Sequence, residues 1–510
     1  MENAASCVIG LDLGTTTIKA VAFAAADGAV VASAERTLAL ERDASGAAEQ
    51  DPAAVARAAL DALAEAAREV AARGDHVARV GMSAAMHSLL PVAADGTPLT
   101  RAMLWMDERA ADAAHALWAS REGQALYART GAPTSAMIPL AKLVWLRERQ
   151  PDLFARAARF VSLKEWVWHA WLGAWEIDPG IAGATGLYNL RAGGWDAEAL
   201  ALAGVDASRL SALVPAIHTR SAPTPGALAE AGLAGVPFVI GSSDGVLANL
   251  GVGASLPGDL VLTIGTSLAV RAGSREPRTD AATRLFCYML NEGHYVVGGP
   301  SNSGGIVLDW LYRQVLRGPD APVAPGLTTE QPPSGFVALL DAARDAQDPN
   351  LLCLPYVAGE RAPLWDARAS ATFHGLRLRH TSAHLLRAAI DGLIHNARWI
   401  AEPLLGGPHP PQRVIATGRV LETDWIREEV AAVLGLPVLF PGPVDASALG
   451  AAALAQLAAG AWTWDDVAAR RYLPAGSVTE PPAAVASYHA RYARFRALGA
   501  ALRAADPPFA

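Results

Sequence analysis

A chain of 510 residues exceeds what one hydrophobic core organises and predicts two to four domains, two large ones being the simplest division. Apolar residues make up 52% and charged residues 18%, with a net charge of -8, the balance of a soluble globular enzyme with no basic field for nucleic acid. No apolar run reaches the length of a membrane span, and the opening "MENAASCVIG" lacks a basic-then-apolar leader, so the expected location is the cytoplasm.

The first predicted element is a hairpin. Residues 8–23, "VIGLDLGTTTIKAVAF", are two β-forming runs around a turn of Gly14, Thr15, Thr16 and Thr17, with Asp12 where an apolar residue is expected and Lys19 in the second run. Successive amides and hydroxyls in such a turn can cradle an anion, and an ordinary hairpin has the same pattern. Residues 51–74, "DPAAVARAALDALAEAAREVAARG", read as a helix with Asp51 as N-cap, Pro52 in the first turn and Gly74 past its end, burying Val55, Ala59, Leu63, Ala66 and Val70. Further β-type runs follow at "HVARVGMS", "RFVSL", "PFVIGSSD", "DLVLTIGTS" and "HYVVGG", separated by Ala/Leu-rich helical stretches, so the class is mixed α/β.

Several polar residues interrupt this pattern. "AAMHS" brings Met86 and His87 after an apolar run, where a lone histidine also suits a structural role. "WMDERA" sets Trp105, Asp107 and Arg109 at alternate positions, which an extended segment projects the same way. An aromatic face, an acceptor and a guanidinium suit a polyol carrying a carboxylate, with Arg109 as the carboxylate partner; an Asp107–Arg109 salt bridge is the competing account. In "GSSDGVLANL" Asp244 ends an apolar strand before small residues, a place for a carboxylate close to a ligand or for a helix N-cap.

"LVLTIGTSLAVRA", residues 260–272, repeats the first hairpin half a chain later with Gly265, Thr266 and Ser267 at its turn. That echo predicts two similar domains facing each other, divided at 1–245 and 246–510. The Pro/Gly-rich stretches 317–335 and 403–412 read as surface loops. His380 and His384 have the spacing of a helical metal pair, but no glutamate follows the first and no third ligand is evident, so zinc is not expected. Cys7, Cys287 and Cys353 lie far apart and read as buried apolar residues. Only Lys19, Lys142 and Lys164 among 42 basic residues are lysines, which can mark places that accept only a compact ammonium. No glycine precedes any of them, which excludes a Walker-type loop.

"GLDLGTTTIKA" and "TIGTS" resemble the two phosphate-binding motifs of the FGGY-type carbohydrate kinases in the actin-like ATPase superfamily. "SAAMHSLL", "WMDERA", "GSSDGVLANLGVGA", "GGPSNSGGIVLDW", "PYVAGERAPLW" and "ASALGAAALA" follow in family order over nearly the whole chain, with the strongest likeness to its gluconate kinases. The resemblance implies two actin-like (ribonuclease H-like) α/β domains with a cleft between them, whose closure expels water that would compete for the γ-phosphate. It implies ATP and Mg²⁺, with Asp244 as general base and Asp12 orienting the metal through water; a hydrogen bond from Asp12 to its own turn is the alternative. Gly14, Thr15, Thr16, Thr17, Gly265, Thr266 and Ser267 would flank the phosphates, and Lys19 matches a family position that supports the turn or adds positive potential, a solvated strand lysine being the alternative. Met86 and His87 match a substrate-contacting pair, the histidine donating to a sugar hydroxyl.

Gly304, Gly305 and Gly418 would let backbone approach the nucleoside. There the chain departs from the pattern: relatives carry two glycines and then Ser-x-x-Trp, whereas "ATGRVLETDW" is one residue shorter and has Arg419 after a single glycine, able to crowd the base or stack on it. The expected activity is phosphorylation of the terminal hydroxyl of a sugar acid, gluconate first. The alternatives are a ketopentose or other polyol kinase such as one for xylulose, and a non-catalytic sensor on the same fold. The expected partners are therefore a small sugar acid and ATP, with no nucleic acid and no membrane, and a homodimer is compatible with the reading.

Overall fold

A computed structural model describes residues 6–316, 333–469, 473, 476–483 and 485–505. Two sheets organise them. The first contains β1 (Ser6–Leu13), β2 (Thr17–Ala24), β3 (Val30–Thr37), β4 (His76–Ala84), β5 (Thr219–Ser221) and β6 (Pro237–Ser243) in the order β5-β6-β4-β1-β2-β3. The second contains β7 (Asp259–Ile264), β8 (Leu268–Ser274), β9 (Phe286–Asn291), β10 (His294–Ser301), β11 (Arg413–Thr417), β12 (Val438–Phe440) and β13 (Ser477–Thr479) in the order β9-β10-β8-β7-β11-β12-β13.

Both sheets share one plan. An antiparallel meander is followed by parallel neighbours: β3-β2-β1 continues into β4 and β6 as β10-β8-β7 continues into β11 and β12. The echo between the two Gly-Thr hairpins is thus a duplication of topology, and the two turns occupy equivalent corners. The parallel step needs a crossover. In the first sheet it contains α1 (Pro52–Ala72), capped by Asp51 accepting from the Ala53 amide, with Val55, Ala59, Leu63, Ala66 and Val70 all buried.

Between β4 and β6 the chain forms several helices, among them α2 (Pro139–Arg149), α3 (Leu163–Leu172) and α4 (Pro179–Ala184). The strand β6 leads into α5 (Asp244–Gly251), and β10 into α6 (Gly305–Trp310). The crossover of the second sheet contains α7 (Ser382–Leu405). That helix runs through Pro403, so the surface loop expected at 403–412 begins only after Leu405; burial of Trp399, Ile400, Ala401 and Leu404 outweighs the backbone bond that proline removes. Of the loop expected at 317–335, residues 317–332 lie outside the described residues and Ser334 already opens a helix.

One helix crosses from the second half to the first. α8 (Ala446–Ala458) lies against β1 and β4 and packs along α5. The approach is that of backbone to backbone: a Cβ on Gly10 would stand 1.9 Å from the Ala448 oxygen, and one on Gly81 2.0 Å from the Ala451 oxygen. Gly450 and Gly251 bring α8 and α5 together in the same way, their Cβ positions falling 1.9 Å from the Leu247 oxygen and 2.0 Å from the Ala446 oxygen. A buried cluster accordingly mixes Val8, Val21 and Val239 with Phe286, Val296 and Leu454. Spatial units and chain order therefore part at α8, although each sheet is drawn from one side of residue 245. The three cysteines are buried and unpaired.

Candidate active site

The strand ends β1, β4 and β6 and the start of α8 converge on two carboxylates. Asp12 accepts one hydroxyl on each oxygen, from Ser83 and from Ser447, both at 2.7 Å. Its own turn contributes neither bond. Ser83 is its parallel register partner on β4, and Ser447 comes from α8, which explains why that helix must sit so close. Burial pushes the Asp12 carboxyl upward, the two hydroxyls opposing and Asp445 adding to the rise.

Asp244 is the first residue of α5, where Ser243 stands at the N-cap and Asp244 Oδ1 accepts from the Gly245 amide at 2.7 Å. Burial raises its pKa to about 6, the Asp12 charge adds to the rise, and Arg271 on β8 opposes it. Arg271 in turn donates to Thr263 Oγ1 at 3.2 Å near the end of β7. Asp244 thus stands between the two duplicated hairpins, within the field of both.

The turns themselves are tightly defined. A Cβ on Gly14 would fall 2.4 Å from the Thr17 oxygen, so that corner accepts only glycine. Thr15 accepts from Trp105 Nε1 at 3.1 Å, and Thr17 begins β2 opposite Thr37. Thr16 and Thr266, at the centres of the two turns, are exposed. On the second turn, Gly265 and Thr266 carbonyls accept from the Gly305 and Ile306 amides at 2.7 and 3.0 Å, docking α6 onto it. Cβ positions on Gly304 and Gly418 would stand 2.5 Å from the Ser267 carbonyl carbon and the Ile264 oxygen, so the backbone these glycines bring close is that of the second turn and of the strand end leading into it. Lys19 neither supports its turn nor faces solvent freely: it bonds Asp445 at 2.9 Å and lies 3.9 Å from Glu35.

Met86 reaches the same place, its Cε 3.2 Å from where a Gly245 Cβ would be, and it shares a pocket with Gly14, Thr15 and Trp105. His87 adopts a left-handed φ of 69° and its Nδ1–H donates to the Ala184 carbonyl at 2.8 Å. Burial, with Lys142 and Arg361 nearby, pushes its pKa down to about 3. A neutral ring with Nδ1 protonated leaves Nε2 as an acceptor, so His87 would receive a sugar hydroxyl's hydrogen bond, the reverse of the donor role expected from sequence.

The "WMDERA" expectation needs a larger correction. The segment turns instead of extending, with the Asp107 amide bonded to the Leu104 carbonyl, and the Trp105 side chain parts from the other two, which bond each other. Asp107 is buried, accepting from the Ala48 amide and from Arg109 Nε and Nη2. Arg109 also pairs with Glu49 and lies 5.0 Å over the Trp145 ring. Its guanidinium is committed to two protein carboxylates, which removes it as the partner of a substrate carboxylate.

Sequence reasoning passed over the cation that does face this region. Arg361, in "GERAP", lies 5.1 Å over the Trp105 ring, donates to the Ser301 carbonyl at 3.0 Å and keeps Nε buried without a protein partner. Burial brings its pKa down to about 10, still charged at neutral pH. Tyr288 stands edge-on to His87 with ring centroids 6.2 Å apart. The signals for Arg361 and Arg271 were an arginine inside otherwise apolar or glycine-rich blocks. Elsewhere, Arg419 opens a short turn after Gly418 with its Nη1 buried and unpartnered, and His380 bonds Asp348 at 3.0 Å while His384 caps Thr381. Among the described residues no three metal-ligating side chains converge.

Comparison with known proteins decides the family. The model of the N-terminal domain of the FGGY family of carbohydrate kinases matches residues 7–251, and that of its C-terminal domain matches residues 260–459. The chain belongs to the FGGY family of carbohydrate kinases. It is 35% identical over 459 residues to the gluconokinase of Bacillus licheniformis, covering 89% of this chain and 88% of that one. The solved gluconate kinase of Lactobacillus acidophilus superposes with a TM-score of 0.89 at 29% identity over 98% of both chains. A ligand-bound xylulose kinase of the same organism gives the same score and identity over 98% of this chain and 99% of that one. As an FGGY kinase with two actin-like domains, the protein uses a sugar and ATP as substrates, and no described helix is long and apolar enough to cross a membrane.

Proposed function

We propose that this kinase transfers the γ-phosphoryl group of ATP to the terminal hydroxyl of a sugar acid, with gluconate as the first candidate. The observation that carries this reading is Asp244, a carboxylate at the head of a helix with a pKa of about 6, between two Gly-Thr hairpins. Such a group is ionised at neutral pH yet basic enough to take a proton. As the sugar oxygen forms its bond to the γ-phosphorus, its proton passes to Asp244 and the bond to the ADP oxygen breaks.

The Asp12 carboxylate, raised by enclosure and held by two hydroxyls, would orient a Mg²⁺ ion through water, the ion's other ligands being water and phosphate oxygens, which leaves Asp244 free to act as the base. Bound there, Mg²⁺ would neutralise charge on the phosphate oxygens. Thr16 and Thr266 offer exposed turn groups from the two sides. Met86 would pack on the sugar's carbon face, His87 Nε2 would accept from a hydroxyl, and Arg361 would meet the carboxylate in the role Arg109 cannot fill.

A coupled ADP-release assay over gluconate, xylulose, glycerol and related sugars tests the reading. The highest kcat/KM is expected with gluconate. Preference for xylulose would move the assignment to the second reading, which the xylulose kinase likeness favours. ATP binding by calorimetry with no turnover on any sugar would sink catalysis altogether and leave a sensor.

A further inference from the structure

Lys142 lies on α2 with no accessible surface, and a lysine is almost never so deeply enclosed without partners. Its Nζ donates to two main-chain carbonyls, those of His87 and Leu104, each at 2.6 Å. These carbonyls belong to the two loops that carry the proposed sugar contacts: His87 itself, and the residue before Trp105. The loops already lie side by side, since Leu89 and Met103 exchange both backbone hydrogen bonds at 2.9 Å. Lys142 closes the end of that pairing nearest the site.

His87 makes the need for such a closure visible. A non-glycine residue at φ 69° is held there only when its surroundings over-determine it. Its ring is fixed by the Ala184 carbonyl and its own carbonyl by Lys142. On the other loop, Trp105 is fixed at its ring by Thr15 and at the preceding peptide by Lys142. We propose that Lys142 is a positioning residue for phosphoryl transfer, a buried clamp that sets the distance between the His87 and Trp105 loops and so defines the sugar site. Only a slender amine reaches both carbonyls in this space, and a planar guanidinium spreads too wide. Burial brings the Lys142 pKa to about 7, and both the ammonium and the neutral amine have enough hydrogens for two carbonyls, so the clamp survives titration.

This inference rests on the proposed sugar-binding role of His87 and on the one expected of Trp105 from its motif, and its test separates the two ideas. Lys142→Met keeps the volume and removes both donors. Leu146→Ala, a buried change on the same helix, matches it as a purely structural lesion. Hydrogen exchange, which needs no substrate, should accelerate in residues 85–90 and 103–108 of K142M well beyond L146A. With the sugar that the screen identifies, KM for sugar should rise about tenfold or more while KM for ATP stays within about twofold. Should K142M fail to fold, Lys142→Gln, which keeps one donor pair on a shorter stem, should show the same split at smaller size. Equal exchange in K142M and L146A overturns the clamp, and faster exchange with an unchanged sugar KM overturns its positioning role. A protein that turns over no sugar defeats the proposed function, and the exchange result alone then decides the clamp.

Discussion

Asp244 carries two opposed consequences in one carboxyl group. Its folded-state pKa of about 6 lies above the unfolded value of about 3.9, so the native state binds the proton more tightly and loses stability as pH rises between those values. At pH 7 that loss is complete, on the order of 2 kcal/mol after allowance for solvent access. Asp244→Asn should therefore abolish transfer, leave sugar binding within a few-fold and raise the melting temperature of the unliganded protein, as calorimetry and turnover together would show. The same pKa predicts an acidic limb in kcat/KM near pH 6, lost as the base protonates. His87, neutral down to about pH 3, cannot produce that limb. His87→Asn, which tolerates the positive φ, should raise the sugar KM while the limb stays in place, and a shift of the limb would contradict a neutral, Nδ1-protonated imidazole at this position. At this scale the sequence offered the Asp107–Arg109 pair as one of two accounts, and the structure shows it, but not the distant partners: Arg109 also met Glu49 on a short strand, and His87 a carbonyl 97 residues distant.

Among the elements, the hairpins, α1 and the parallel strands β4 and β6 were legible because their periodicity and caps are local properties, whereas the short parallel strands β11 and β12 were not singled out. The long helix through Pro403 was not, since packing of a buried face overrode a single residue's preference. Nor was α8 legible as part of the first sheet. Its small residues look like any Ala-rich helix until the glycines facing it are known. Gly81→Ala would press a methyl carbon to 2.0 Å from the Ala451 oxygen, where neither backbone can yield. This substitution should cost about 3 kcal/mol or more, read as a lower melting temperature, and should lower kcat as well because α8 carries Ser447 to Asp12. An alanine at Gly435, where nothing lies within 4 Å, provides the contrast: its left-handed φ of 70° should cost a smaller amount with turnover unchanged.

For the molecule as a whole, the two halves share a core. Tyr127 donates to the Leu285 carbonyl, the Cys287 amide to Gly131, and one buried cluster draws on both sides of residue 245. Residues 1–251 expressed alone would expose the apolar and glycine surface that α8 covers, so that fragment should aggregate, whereas the full chain should unfold in one calorimetric transition; a soluble, folded fragment would show that α8 is dispensable. The seat of α8 has a mechanical corollary. Because it packs on the first sheet while its flanking strands belong to the second, the α5–α8 pair is placed to act as a pin in any swing of one half against the other, with residues 252–258 and 441–445 leading from it to the second sheet. Displacement is least at a pin and greatest at the tips. Asp244 and Ser447 sit at that pin, so an opening of the two halves about it would leave the acid geometry nearly where it is.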